Sequence, residues 1–412
     1  MSYLSGLFST AFERRFARTV STDAQGRKIT DLARDLLGAQ GEVSGSTLAR
    51  LILDQYARAD AEGKKAFFAF LLNDLEIDPV EVVETLKDYK AAPSKRSYQA
   101  YATASEPKRQ ELLRRLNQVR GGTKRLVSLR QDLLSMMRED PKLGPLDVDF
   151  QHLFASWFNP GFLVLRRINW SSPAEILEKI IAYEAVHAID SWDDLRRRLH
   201  PADRRCFAFF HPAMPDEPLI FVEVALTQGI PNSVQTLLAD GRAPIEAEDA
   251  DTAVFYSISN CQAGLAGISF GNSLIKQVVA DLSRDLAALD TFVTLSPIPG
   301  LRRWLDQVQK LGHDTASIEA LAAHYLLTAK RDDRLPADPV ARFHLGNGAA
   351  VHAVHANADI SDNGMRQSGG VMVNYLYDLS LIPTNHEHFV TEKTVAASTA
   401  VRRLSASVTP KS

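Results

Sequence analysis

The sequence predicts two domains, an all-helical N-terminal domain followed by a mixed α/β domain. The chain has 412 residues, which is more than one hydrophobic core usually serves. Apolar residues recur at three- and four-residue spacing up to about residue 140, whereas β-rich segments appear only after Trp157. A strand, a glycine-bearing loop, a helix and a second strand then follow one another between residues 253 and 296, which is typical of a parallel α/β unit.

Composition and charge are those of an ordinary globular enzyme. Hydrophobic residues make up 45% of the chain and charged residues 24%. The formal net charge is -3, without a long run of one sign, so nucleic acid is not an expected partner. The longest apolar segment, 219–226, is interrupted by Glu223 and is far shorter than the roughly 20 residues that cross a bilayer. No membrane span is therefore expected.

Three features bear on the compartment. Two cysteines, Cys206 and Cys261, are too few for a disulfide framework and fit a reducing environment. Arg14, Arg15 and Arg18 are compatible with a mitochondrial transit peptide, but an ordinary amphipathic first helix is the preferred interpretation. The final TPKS is not a peroxisomal address. A cytoplasmic protein is predicted.

The helical part contains a clear signal for the start of one helix and a second signal for its own end. The sequence DPVE from Asp78 combines a capping residue, a first-turn proline and a third-position glutamate, which predicts a helix start. The stretch DPKLGPLD at 140–147 is the predicted hinge, with a boundary nearer Trp157 as the alternative. We place the domain limits at 1–155 and 156–412.

The α/β part begins with a capped helix at Ser172 and two β-rich segments. These segments, 206–211 and 219–226, predict neighbouring strands separated by the proline-stiffened connection PAMPDEP. A buried strand is predicted at 253–259, a helix at about 272–289 and a further strand at 292–296.

The loop between the strand at 253–259 and the following helix is a candidate phosphate site. Its glycines allow close approach, and amides at a helix start attract anions. Neither G-x-G-x-x-G nor a P-loop motif is present, which disfavours nucleoside triphosphates. The alternative is a loop that uses glycine only for its turn.

Six motifs occur in a fixed order: EAVHAIDSWDDL, VEVALT, FYSISNCQAGLAG, LSPIPG, FHLGNGA and NYLYDL. Together they closely resemble the malonyl-CoA decarboxylase family. The resemblance implies a catalytic domain with the fold of GCN5-related (GNAT) acetyltransferases, malonyl-CoA as substrate, acetyl-CoA as product and a role in fatty acid metabolism. It also implies a homo-oligomer that assembles through the helical domain, and no separate cofactor.

The same resemblance implies the site residues. The catalytic group falls on Ser296 of LSPIPG, His344 of FHLGNGA and Tyr377 of NYLYDL. The contact with coenzyme A falls on Ala266, Gly267, Ile268, Ser269, Phe270, Gly271 and Asn272. Ordinary structural roles are the alternatives: a strand-end serine before proline, a partly buried histidine on a strand, and a core tyrosine.

One position departs from the family pattern. An acidic residue expected in the glycine loop aligns with Ser269. Either that carboxylate is not essential, or Asp251 or Glu223 replaces it, or this member works differently. Lys276, Arg302 and Arg303 are further candidate phosphate partners, with solvated surface charge as the alternative for each.

Metal and hydrolase sites are disfavoured. His352 and His355 lie three apart on a predicted strand and so face opposite sides, and His386 and His388 follow Pro383 in a predicted solvated loop. The segment GISFG at 267–271 has the G-x-S-x-G spacing of a hydrolase elbow, but the predicted catalytic serine, Ser296, lies outside it. Two other functions remain open: an acyl-CoA N-acyltransferase of the same fold, and a non-catalytic malonyl-CoA sensor.

Overall fold

The described residues up to Trp157 are mainly helical, as predicted. The computed structural model describes residues 26–39, 41–268, 272–309 and 316–408, so the arginines at positions 14, 15 and 18 lie outside the described residues. Two compact units are present: Met1–Phe162 with Pro212–Pro215 and Gln262–Ile268, and Leu163–His211 with Asp216–Cys261 and Ser269–Ser412. The predicted domain limit at residues 155/156 stays a prediction. None of the described helices is long and apolar enough to span a membrane.

Eight α-helices make up most of the described part of the first unit. They are α1 Ile29–Gly38, α2 Glu42–Arg58, α3 Ala61–Asn73, α4 Pro79–Ala91, α5 Lys95–Ala104, α6 Lys108–Asn117, α7 Gly122–Met136 and α8 Gly144–Trp157. Asp78 caps α4 by accepting hydrogen bonds from the amides of Val80 and Glu81, which confirms the predicted helix start. The hinge predicted at 140–147 is wrong. Asp140 instead caps a 3-10 turn, Pro141–Leu143, that leads directly into α8.

Helices α4 and α5 form an exposed hairpin. No residue of α4 is buried, and on α5 only Ala104 is. The two helices contact each other through Tyr89, whose ring stacks on Tyr101 at 6.4 Å. Apolar side chains nevertheless face outward, since Val80 is 66% exposed and Tyr98 55% exposed. We call this segment, 79–104, the exposed hairpin.

The second unit is built on an eight-stranded sheet. Its strands are β1 Val164–Ile168, β2 Arg204–His211, β3 Met214–Thr227, β4 Thr252–Asn260, β5 Thr291–Thr294, β6 Ser296–Pro297, β7 Ala350–His355 and β8 Met372–Leu376. The order is β1-β2-β3-β4-β5-β8-β6, with β7 also paired to β8. The predicted connection PAMPDEP is wrong in length, because β3 begins at Met214 and leaves only two residues after β2.

Within the described ranges of the second unit, ten α-helices accompany the sheet. They are α9 Ala174–Tyr183, α10 Trp192–Leu199, α11 Val234–Leu238, α12 Asn272–Asp285, α13 Leu301–Gln309, α14 Ile318–Thr328, α15 Pro339–Gly346, α16 Asp362–Ser368, α17 Ile382–Glu392 and α18 Thr399–Ala406. The loop predicted around His386 and His388 is wrong, since both lie on α17. Pro383 stands in the first turn of that helix, where a proline is tolerated.

The β4-α12-β5 crossover positions the site. As predicted, β4 and β5 are parallel, with Thr252–Phe255 of β4 opposite Thr291–Thr294 of β5. Ser296 and Pro297 pair with β8 instead, so β6 departs from β4. The antiparallel strands are thus followed by one crossover helix and a splayed parallel pair. This is the acetyltransferase-like arrangement that was expected.

Candidate active site

A cavity of about 260 Å³ lies where the strands splay. Its wall includes the last part of β4, the short strand β6 and α15. The lining residues are Val186, Ile220, Phe255, Tyr256, Ile258, Asn260, Ser296, Pro297, Pro339, Val340, Phe343 and His344. Most of these side chains are apolar, so the few polar groups that face the cavity define its chemistry.

Ser296, His344 and Tyr377 are brought together in one hydrogen-bonded chain. The Ser296 Oγ lies 3.3 Å from Nε2 of His344, and Nδ1 of His344 lies 2.8 Å from the Tyr377 hydroxyl. Ser296 is 6% exposed, and His344 and Tyr377 are each 2% exposed. Ser296 and His344 line the cavity, whereas Tyr377 contacts the far side of the imidazole.

A capped helix places His344. Asp338 accepts hydrogen bonds from the amides of Val340 and Ala341 at the start of α15, and from the amide of Gly300 at 3.1 Å. One buried carboxylate therefore joins the helix that carries His344 to the turn that follows Ser296. Burial raises the pKa of Asp338, while these three amides favour its charged form.

The alternative of a histidine on a strand is wrong for His344. Asp338 followed by Pro339 is the same cap and first-turn proline seen at Asp78 and Pro79, so the sequence carried the signal for a helix. The FHLG segment contains too few residues after the cap to display helical periodicity. Local capping chemistry was the better guide.

Burial sets the protonation state of the site. It lowers the pKa of His344 to about 3, because an imidazolium without water is unfavourable. It also raises the pKa of the Tyr377 hydroxyl well above its usual range. The ring of Tyr375 stacks on His344 at 4.6 Å and restricts its orientation. The site therefore holds a neutral imidazole and a protonated phenol at pH 7.

The glycine loop is described in part. Arg130 on α7 donates hydrogen bonds to the carbonyls of Gly264 at 2.7 Å and Ala266 at 2.9 Å. A side chain at Gly264 would meet the carbonyl oxygen of Val127 at 1.9 Å, so only glycine fits there. Gly267 has a φ of +79°, which also favours glycine.

The structure describes only part of the predicted coenzyme A contact at 266–272. Ala266, Gly267 and Ile268 belong to the described residues, and Asn272 is the first residue of α12. Ser269, Phe270 and Gly271 lie outside the described residues.

Of the two proposed substitutes for the family acid, Asp251 lies at the wrong end of the strands. Its carbonyl accepts the amide of Thr291 at the start of β5, whereas Ser296 follows the other end. Five residues of extended strand separate these points by about 16 Å. Glu223 lies instead beside Tyr256, buried and 3.3 Å from Arg198, and burial raises its pKa to about 8.

Two polar residues near the cavity were missed from the sequence. Thr294 accepts a hydrogen bond from Ser296 at 2.9 Å. Glu184 accepts the amides of Val186 and His187 and the hydroxyl of Ser257, and so fixes the segment that carries Val186 into the cavity wall. Glu184 belongs to the EAVHAID motif. Thr294 could have been found from its position two residues before Ser296 on the same face of the predicted strand.

The other candidates lie on the surface or do not cluster. Lys276 on α12 and Arg302 and Arg303 on α13 are exposed. His352 and His355 lie on β7, as predicted. Within the described ranges, no three His, Cys, Asp or Glu side chains are arranged to hold a metal ion.

Two family models match the chain. The malonyl-CoA decarboxylase C-terminal domain matches residues 161–317 and 312–411, and the malonyl-CoA decarboxylase N-terminal domain matches residues 75–158. Together these segments cover well over half of the sequence.

Individual relatives agree with the family models. A crystal structure of malonyl-CoA decarboxylase from Rhodopseudomonas palustris is 48% identical, with a TM-score of 0.86, over 91% of this chain and 98% of its own. That from Agrobacterium vitis is 47% identical, with a TM-score of 0.87, over 92% of this chain and 99% of its own. The mitochondrial malonyl-CoA decarboxylase of Anser anser anser is 35% identical over 349 residues, with a coverage of 72% of this chain and 69% of the goose protein. The chain therefore belongs to the malonyl-CoA decarboxylase family.

Proposed function

We propose that this protein decarboxylates malonyl-CoA to acetyl-CoA and CO2, with Ser296, His344 and Tyr377 as the groups that carry the step. The observation that best supports the proposal is the cavity itself. Ser296 and His344 face this space at the point where β4 and β6 diverge, and apart from Tyr256 and Asn260 the other lining residues are apolar. Such a space excludes water from a short acyl group and strengthens each polar contact made to it.

The chemistry needs charge stabilisation and one proton. Cleavage of the bond between C2 and the carboxyl carbon releases CO2, and the electron pair passes into the thioester as an enolate. A proton drawn from water then adds to C2 and completes acetyl-CoA. Donors aimed at the developing oxyanion lower the barrier, and the loss of one typically costs about 3 kcal/mol.

The three side chains divide these tasks. Ser296 and His344 bind the malonyl carboxylate and the thioester oxygen, and between them they pass the proton to C2. Tyr377 acts as a positioning residue, because its hydroxyl contacts His344 on the side away from the cavity. The coenzyme A portion binds along the loop of residues 266–272, where backbone amides at the start of α12 attract phosphate.

We predict that the reaction needs no metal or organic cofactor, because the thioester is itself the electron sink. Purified protein mixed with malonyl-CoA alone should release CO2 and acetyl-CoA in equal amounts, and prolonged EDTA treatment should leave the rate unchanged. Activity that is lost on chelation and restored by a divalent ion would contradict this.

The same assay separates the two alternative functions. An acyl-CoA N-acyltransferase consumes its thioester only when an amine is added, and it releases free coenzyme A rather than CO2. A malonyl-CoA sensor binds the thioester and leaves it intact. Stoichiometric CO2 without an amine is therefore specific to the decarboxylase.

We also predict that the protein self-associates through the helical unit. The exposed hairpin buries almost none of its own surface and presents Val83 and Tyr98 outward, which is costly in water unless a second copy covers them. Val83→Glu combined with Tyr98→Glu should shift the full chain from an oligomer to a single chain in analytical ultracentrifugation. Lys87→Gln, on the same helix, is the matched control. A wild-type chain that sediments as a monomer would overturn the prediction.

Location in the cytoplasm is part of the same proposal. It is supported by the buried thiols of Cys206 and Cys261, since neither is paired in a disulfide. The vertebrate relative from goose is named as mitochondrial. Fractionation of the native host would distinguish the two compartments.

A further inference from the structure

The hydroxyl of Thr294 lies at the end of the hydrogen-bonded chain of the site. Thr294 is the fully buried last residue of β5, and Ser296 begins β6 two residues later. Its Oγ1 accepts the Ser296 hydroxyl at 2.9 Å and the backbone amide of Tyr375 at 3.2 Å. A threonine hydroxyl has two acceptor lone pairs, so these donors occupy both.

The amide of Tyr375 makes this arrangement directional. A backbone N–H can only donate, so Thr294 Oγ1 is held as an acceptor on the β8 side. The carbonyl of Thr294 is fixed as well, by the Asn374 side-chain amide at 2.8 Å. With one lone pair of Thr294 taken by the Tyr375 amide, the other accepts the Ser296 proton in the substrate-free protein.

The donor-to-acceptor direction of this hydrogen bond determines the directions of the next two. Because the Ser296 proton points to Thr294, Ser296 must act as an acceptor toward His344, which requires a proton on Nε2. A neutral imidazole carries one proton, so Nδ1 is bare and accepts from the Tyr377 hydroxyl. The Tyr377 hydroxyl can donate as well as accept, so its contact with the bare Nδ1 fits this tautomer.

We propose that Thr294 is a positioning residue that sets this tautomer, so that His344 presents an N–H, rather than a lone pair, at the cavity. The inference deepens the proposed function and rests on it for its catalytic consequence. An enolate oxygen or a carboxylate is attracted by the N–H and repelled by a lone pair. Without the Thr294 acceptor, the chain reverses: Ser296 donates to Nε2, and Nδ1–H donates to Tyr377.

Thr294→Val, which keeps the shape of the side chain and removes its hydroxyl, tests the proposal. We expect kcat to fall about tenfold to a hundredfold, with KM changed by less than about threefold. Thr294→Ser restores an acceptor and should keep kcat within about threefold of wild type. The matched control is Thr291→Val on the same strand, whose hydroxyl contacts Asp290 at the surface. Unchanged kcat in Thr294→Val would overturn the proposal.

The tautomer is measured directly by nitrogen NMR of protein labelled at histidine, with the His344 signal assigned from its absence in His344→Gln. The wild-type protein without substrate should show the Nε2–H form at neutral pH, and Thr294→Val the Nδ1–H form. A wild-type ring protonated on Nδ1 would refute the proposal, even if a variant fails to fold. Since this measurement needs no turnover, it stands apart from the decarboxylase assay.

Discussion

His344→Ala is expected to lower kcat about a thousandfold, which is the largest effect of any single substitution in the cavity. In the tautomer proposed above, the imidazole donates a hydrogen bond at the cavity, and within the described residues it links Ser296 to Tyr377. An interaction made mainly in the transition state appears in kcat, so KM should change by less than about threefold. Initial rates of acetyl-CoA formation over a range of malonyl-CoA concentrations give both constants.

His352→Ala is the matched control for this experiment. His352 lies on β7, is half-buried and does not line the cavity. His344→Gln adds a second comparison, because its amide keeps a donor and fills much of the space of the ring. It should retain more activity than His344→Ala. A His344→Ala protein that is folded, by circular dichroism, and turns over at a near-native rate would place the reaction elsewhere.

Ser296→Ala should lower kcat about a hundredfold to a thousandfold, which is typical for the loss of one oxyanion donor. The effect is smaller than that of His344→Ala because the imidazole keeps its place through Tyr377 and the stacked ring of Tyr375. The substitution removes one buried hydroxyl and leaves Thr294 without its serine donor. Little change in stability is expected, since the Tyr375 amide still satisfies Thr294.

The same kinetic assay decides this prediction, with Ser128→Ala as the control for an exposed serine on a helix. If kcat/KM falls only because KM rises, while kcat stays constant, Ser296 binds the ground state and the transition state equally well. It then contributes to substrate binding and not to selective stabilisation of the transition state. That outcome would contradict the role assigned to Ser296. It would leave the role of His344 to be judged on its own variants.

Much of the architecture followed from local patterns. The cap at Asp78, the buried strand at 253–259 and the parallel crossover were all predicted correctly, because capping chemistry and apolar periodicity act over a few neighbouring residues. The same patterns misplaced His344 and His386. In both cases a proline, Pro339 or Pro383, stands in the first turn of a helix, where it is tolerated and marks the helix start.

The three proposed site residues were also chosen from the sequence, through the family resemblance of the ordered motifs, but their arrangement was not predicted. His344 lies 48 residues from Ser296 and 33 from Tyr377, and no local pattern states which atoms meet across such separations. The tertiary structure alone decided that Thr294 is the terminal acceptor, that Asp251 lies at the far end of the strands, and that Gly264 packs against Val127. These three facts depend on strand register and on packing between segments that are distant in sequence. The whole fold determines both, because each buried polar group must find a hydrogen-bond partner within it.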